Sequence, residues 1–169
     1  MSLLSLAIRL VVMCALLWLA VIDVRVRRLP TRMVLVIGAL FFIDALVVRM
    51  AATEVLMHLL LAAGVFVVCA ALFAARMLGG GDAKLASTIF LWIGPGLSLA
   101  ALTLISVIGT LVALVSLATR NMNQGPRSGF MRTLAMFSGA RGVPYGVALA
   151  LGGGSVIVLP SLLPLILSR

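Results

Sequence analysis

Apolar residues run along this chain in long blocks, and each block is closed by a short polar stretch. Residues 3–22 form the first block, interrupted only by Arg9 and Ser5. At about 20 residues it is long enough to cross a bilayer as a helix. The second block, 33–48, contains Asp44 and is closed by Arg49. The third, 55–75, follows Glu54 and stops at Arg76. Residues 85–119 then pass without a charge, too long a run for one ordinary span and short for two. Gly94-Pro95-Gly96 lies inside that run and is a strong turn signal. The pattern therefore predicts a short helix from Asp82 to the turn, about 18 Å long, buried in the bundle and only just reaching the far side. A full crossing over 97–119 follows. After a polar connector at 120–141, a last block covers 143–167, with Pro144, Pro160, Pro164 and a Gly152-Gly153-Gly154 patch that permits close helix packing.

These blocks predict an all-α polytopic membrane protein of about six transmembrane helices, the fourth of them short, in a single membrane-embedded domain over 1–169. Composition agrees: 64% of residues are hydrophobic, 10% are charged and mean hydropathy is +1.32, against about 25% charged in a soluble domain. The net charge of +9 is a topology signal rather than a nucleic-acid footprint, because the basic residues collect in the connectors. With the N-terminus outside, Arg25, Arg27, Arg28, Arg32, Arg76, Lys84, Arg120, Arg127, Arg132 and Arg141 lie inside, and Arg9, Arg49 and Arg169 outside. The first block reads as a retained helix, not a signal peptide, since its positive cluster follows the apolar run. Arg9 is expected to snorkel to the outer surface, and Pro30 to start the second helix. Cys14 and Cys69 sit inside apolar blocks, form no CxxC pair and support neither a metal site nor a disulfide framework. No convincing internal repeat supports an inverted-repeat transporter.

The acidic residues are four, and a carboxylate at membrane depth is a functional candidate by default. Asp23 ends the first block and Asp82 begins the fourth, so this topology sets both at the cytoplasmic boundary. Asp44 and Glu54 fall on the opposite side, where Asp44 with Arg49, and Glu54 with His58 at i,i+4 spacing, read most simply as outer-edge polar groups. Two carboxylates within a few ångströms do not easily both ionise. Such a pair can activate water with its ionised member and polarise a peptide carbonyl with its protonated one. Gly79, Gly80 and Gly81 precede Asp82 and strip side chains from the backbone, which suggests a bend and a place where a substrate strand could lie. Taken alone, Asp82 also reads as an N-cap, Lys84 as an interfacial anchor and Tyr145 as an interface aromatic.

Three motifs in register make a resemblance specific. Gly79-Gly80-Gly81-Asp82-Ala83-Lys84 resembles the GxGD(x)K signature of the type IV prepilin peptidases. Asp23, ahead of a basic stretch and Leu29-Pro30, resembles that family's first catalytic aspartate. Val143-Pro144-Tyr145-Gly146 resembles its Pro-aromatic-Gly start of the last helix. Thr31 departs from the pattern, in which Asn often follows the proline. The resemblance covers nearly the whole chain. It implies an aspartic endopeptidase of the bacterial inner membrane that removes short basic leaders from prepilins at the cytoplasmic face, usually after a glycine. Asp23 and Asp82 would be catalytic, Gly79, Gly80, Gly81, Lys84, Pro144, Tyr145 and Gly146 site-shaping, and no metal or other cofactor is implied. Larger members also N-methylate the product and carry a cysteine-rich domain. Without CxxC pairs, methyltransferase activity is not expected, and the short form is similar to the peptidases of tight-adherence (Flp) pilus systems. The implied partners are a prepilin or pseudopilin precursor and membrane lipid. Presenilin and signal-peptide-peptidase proteins share GxGD but pair it with Tyr-Asp and Pro-Ala-Leu motifs, where this chain has Ile22-Asp23 and Pro144-Tyr145-Gly146. The rival outside the enzymes is a small proton-coupled carrier, which would need its acidic site near the midplane; a structural subunit of a secretion complex is a third reading.

Overall fold

The computed structural model describes residues 3–26, 29–118 and 145–167, and side chains as far as 160. Within them every regular element is a helix. α1 covers Leu3–Val26, α2 Thr31–Val47, α3 Ala52–Ala74 and α4 Gly80–Ala118. The C-terminal helix opens as α5 (Tyr145–Ala148), widens into a π turn at Leu149–Gly153 and continues as α6 (Gly154–Leu167). By length and composition α1, α3 and α4 can each cross a membrane, while α2 and the helix starting at Tyr145 are shorter and apolar. The connector at 120–141 and Pro144 lie outside the described residues.

The buried positions of α1, among them Val12, Leu16, Leu19 and Asp23, recur every three or four residues and so form one face. Leu10, Val11, Trp18 and Val21 are exposed on the rest of the helix, as expected where hydrocarbon rather than water is the solvent. α2 repeats the arrangement with Val34, Ile37, Phe41 and Asp44. Pro30, extended at φ −69° and ψ 114°, sits just before α2, at the position where a missing N–H costs nothing. α2 and α3 both end on an arginine in the left-handed region, Arg49 (φ 54°) and Arg76 (φ 60°). Each is locked by the paired bonds of a Schellman turn, Arg49 to Leu46 and Met50 to Ala45, then Arg76 to Phe73 and Met77 to Leu72. A cation there also complements the negative end of the helix.

α4 is two helices in one. Its first arm, up to Ile93, carries Leu85, Ile89, Phe90 and Trp92 fully inside the bundle. Beyond Gly94 only Ala101 and Ser116 are buried. The backbone leaves helical geometry at Gly94 (φ 69°, ψ 178°), a conformation open essentially to glycine alone. Proline at 95 removes the N–H that would have bonded the Leu91 carbonyl. His58 supplies a replacement: its Nδ1 lies 2.7 Å from that oxygen, so Nδ1 carries the proton. Its ring fills the space a Gly94 Cβ would need and stacks on Phe41. The expected His58–Glu54 pairing is therefore not formed. His58 turns inward to the orphaned carbonyl, and Glu54 instead accepts from the Ala51 amide at 3.4 Å.

Arg9 also departs from expectation. Rather than snorkelling outward, its Nη2 meets Asp44 Oδ2 at 3.2 Å and its Nη1 donates to the Ile157 carbonyl at 3.3 Å. Asp44 is 3% exposed, so a charge placed there needs a counter-charge within reach, and Arg9 is partly buried where Arg49 is exposed. One ion pair thus ties α1, α2 and α6 together. The three consecutive glycines at 152–154 of the C-terminal helix each admit a different neighbour. Gly152 lies against the backbone of Ile105, Gly153 against Ile89, and Gly154 against Met13.

Candidate active site

Asp23 and Asp82 come from opposite directions along the chain. Asp23 lies in the last turn of α1, one turn inside a helix that runs on to Val26 rather than stopping at residue 22. Asp82 lies in the first turn of α4, which begins two residues earlier than the sequence suggests, at Gly80. The positive end of that helix favours a carboxylate. The two side chains are near enough to interact electrostatically.

Each carboxylate has a glycine packed against it. Asp23 is 7% exposed, and its Oδ2 accepts from the Gly146 N–H at 3.0 Å. A Cβ on residue 146 would lie 2.8 Å from that same oxygen, so only glycine allows both the bond and the carboxylate. Asp82 lies against the backbone of Gly79, where a Cβ would stand 2.7 Å from its Oδ2. Its Oδ1 is buried with no hydrogen-bond partner. A buried carboxylate oxygen without a donor is costly, and it is the atom a bound water or substrate group would satisfy.

The remaining glycines of the motif do something other than expected. Read from sequence, Gly79–Gly81 left room for a substrate strand. In the fold that room is already taken at two of the three: the Phe73 ring is 3.3 Å from where a Gly80 Cβ would sit, and Leu29 is 3.0 Å from that of Gly81. These glycines let the start of α4 wedge between the end of α3 and the α1–α2 link, which brings Asp82 to its depth. Lys84 is exposed and donates to Thr31 Oγ1 at 3.3 Å, a second tie between α4 and the start of α2. Tyr145, 40% exposed, lines an apolar cleft together with Asp82. Phe73 had no signal in the sequence beyond being apolar, Leu29 stood out only beside Pro30 in the motif that follows Asp23, and the Gly146–Asp23 bond joins residues 123 apart.

With that geometry in place, comparison with known families is decisive on one point. The model of the type IV leader peptidase family matches residues 10–114. The chain belongs to this family. The match contains both Asp23 and Asp82, so the type IV leader peptidase assignment rests on the region that supplies both carboxylates, while Gly146 lies beyond it. The comparisons with curated proteins and with solved structures returned no match. This member of the type IV leader peptidase family is therefore a peptidase by family, and a membrane protein by family and by its three long apolar helices. Among its described residues no three His, Cys, Asp or Glu side chains cluster as a metal site.

Proposed function

We propose that Asp23 and Asp82 form an aspartic dyad that cleaves the basic leader from type IV prepilins of the Flp kind, at the cytoplasmic face of the bacterial inner membrane. The observation that carries this reading is that Asp23, in the last turn of α1, bonds Gly146, whose neighbour Tyr145 lines one cleft with Asp82 of the first turn of α4, within electrostatic reach. In the proposed reaction the ionised member takes a proton from water as its oxygen attacks the scissile carbonyl carbon. The protonated member donates a hydrogen bond to the carbonyl oxygen. Collapse of the tetrahedral intermediate breaks the C–N bond, and the departing amine takes a proton from the pair. The dyad titrates as a unit, so the rate should fall at both ends of the pH range.

The accompanying topology has six crossings and an outside N-terminus in one domain. The break at Gly94 divides α4 into the fourth and fifth, and no methylation of the product is expected. Placement of both aspartates within a turn of a helix terminus favours a peptidase over a proton carrier, whose site belongs near the midplane. Replacement of either by asparagine, Asp23→Asn or Asp82→Asn, keeps shape and removes the titrating group. Each variant should accumulate in the membrane and leave a co-expressed prepilin unprocessed on a gel-shift assay, a loss of at least about a thousandfold. Substantial processing by either one sinks the dyad.

A further inference from the structure

A cleft of about 960 Å³ opens along one flank of the bundle, and its described walls come from α3, both arms of α4 and the start of the C-terminal helix. Followed along each helix, the lining runs from Leu60 and Ser98 at one end to Leu72, Tyr145 and Asp82 at the other. From Leu60 to Leu72 that is about 18 Å of helix. The walls are almost wholly apolar, and much of that apolar surface is left uncovered: Leu60 is 58%, Val68 61% and Leu99 76% exposed. Within this wall Gly64 stands out. A glycine inside a helix costs about 1 kcal/mol relative to alanine, and here nothing among the described residues lies within 4 Å of where its Cβ would be. No packing among the described residues requires it.

We propose that this cleft seats the apolar helix that follows the scissile bond in the substrate, an inference that rests on the dyad reading above. A polypeptide lying in hydrocarbon must pair its own backbone groups, so the occupant is helical. An apolar lining rejects a basic leader, which is expensive to bring to membrane depth, so the leader stays on the far side of Asp82 and the segment after the bond occupies the cleft. A helix about 10 Å across and 18 Å long fills roughly 1,400 Å³. A cleft of about 960 Å³ therefore encloses about two-thirds of it and leaves one face to lipid. Gly64 then has a purpose, since a bare glycine lets a second helix come close. The rival occupant is a lipid acyl chain.

The native cysteines provide the test. Cys69 lines the cleft, whereas Cys14 is exposed on α1 and lies outside it. The probe is a precursor with a basic leader, a glycine and a Leu-Ala helix of about 20 residues bearing one cysteine within two turns of the cleavage point. Mild oxidation is carried out in membranes holding the Asp23→Asn protein. A disulfide to Cys69 at least tenfold more abundant than to Cys14 is the expected result. Equal yields, a preference for Cys14, or no disulfide with a precursor that the unaltered protein cleaves would each overturn the proposal. In parallel, Gly64→Leu should raise KM for this precursor about tenfold, the effect of denying one well-packed contact, while Leu35→Phe on exposed α2 surface should leave it unchanged. An unchanged KM in Gly64→Leu also overturns it. If instead the dyad is wrong, Asp23→Asn cleaves the precursor, and the disulfide pattern still reports on the cleft.

Discussion

Asp44 and Asp23 are both buried acids facing the inside of one bundle, yet they are satisfied by different things. Asp44 meets a guanidinium: Arg9 lies 3.2 Å away and is itself anchored on the Ile157 carbonyl. Asp23 meets a backbone amide, that of Gly146, and lies within electrostatic reach of a second carboxylate. A guanidinium supplies a counter-charge and joins three helices. An amide fixes where the carboxylate points. The first arrangement suits holding a fold together, and the second suits chemistry.

Four substitutions put this contrast to the test. The largest effect is expected from Asp44→Asn, which removes the counter-charge from Arg9. Stability should drop by about 3–5 kcal/mol, as when one partner of a buried pair is lost, while cleavage per folded molecule is retained. Thermal unfolding in detergent beside a processing assay separates the two, and adding Arg9→Met should recover much of the loss. Next comes Gly146→Ala. Its methyl group falls 2.8 Å from Asp23 Oδ2 and must displace the carboxylate. We expect kcat to fall roughly a hundredfold, as with a misplaced catalytic group, with a much smaller change in unfolding temperature than for Asp44→Asn. A variant that loses stability but keeps kcat would move Asp23 to the structural side of the comparison. His58→Ala should cost about 1–3 kcal/mol by leaving the Leu91 carbonyl unsatisfied, and hydrogen exchange around Gly94 should report the opening. The smallest effect belongs to Lys84→Ala. Its bond to Thr31 is exposed, so stability should change by less than about 0.5 kcal/mol. If Lys84 instead orients an acidic residue near the cleavage point, the ratio of rates on acid-bearing and acid-deleted precursors will shift.

How much of this was legible before any coordinates depended on the range of the interaction. The helical blocks, the turn at Gly94-Pro95-Gly96 and the two aspartates at helix termini follow from local composition, because block length and glycine–proline punctuation act over a few residues. Partner choice was not legible. Asp44 had an arginine five residues away, and the fold gave it Arg9 at a separation of 35. His58 had a glutamate one turn back, and a carbonyl orphaned by Pro95 claimed it instead. In both cases burial made an unsatisfied group on another helix more expensive than any local pair was favourable. Gly80 and Gly81 show the same limit, since glycine announces close approach without saying whether a substrate or the protein's own Phe73 and Leu29 will make it.

The π turn at Leu149–Gly153 bears on how the two halves of the C-terminal helix are phased. A π turn holds one residue more than an α turn, and each residue of an α-helix turns the chain by about 100°. Below it, Gly154 is keyed to Met13; above it, Gly146 is keyed to Asp23. Removing one glycine from Gly152–Gly154 would let the helix run on regularly with α6 in place. Winding all of those residues as plain α-helix, with α6 in place, would instead rotate the Gly146 amide about 100° off the carboxylate. The extra residue works as a rotational setting, fixing the bearing of one amide relative to a wall of packing several turns away.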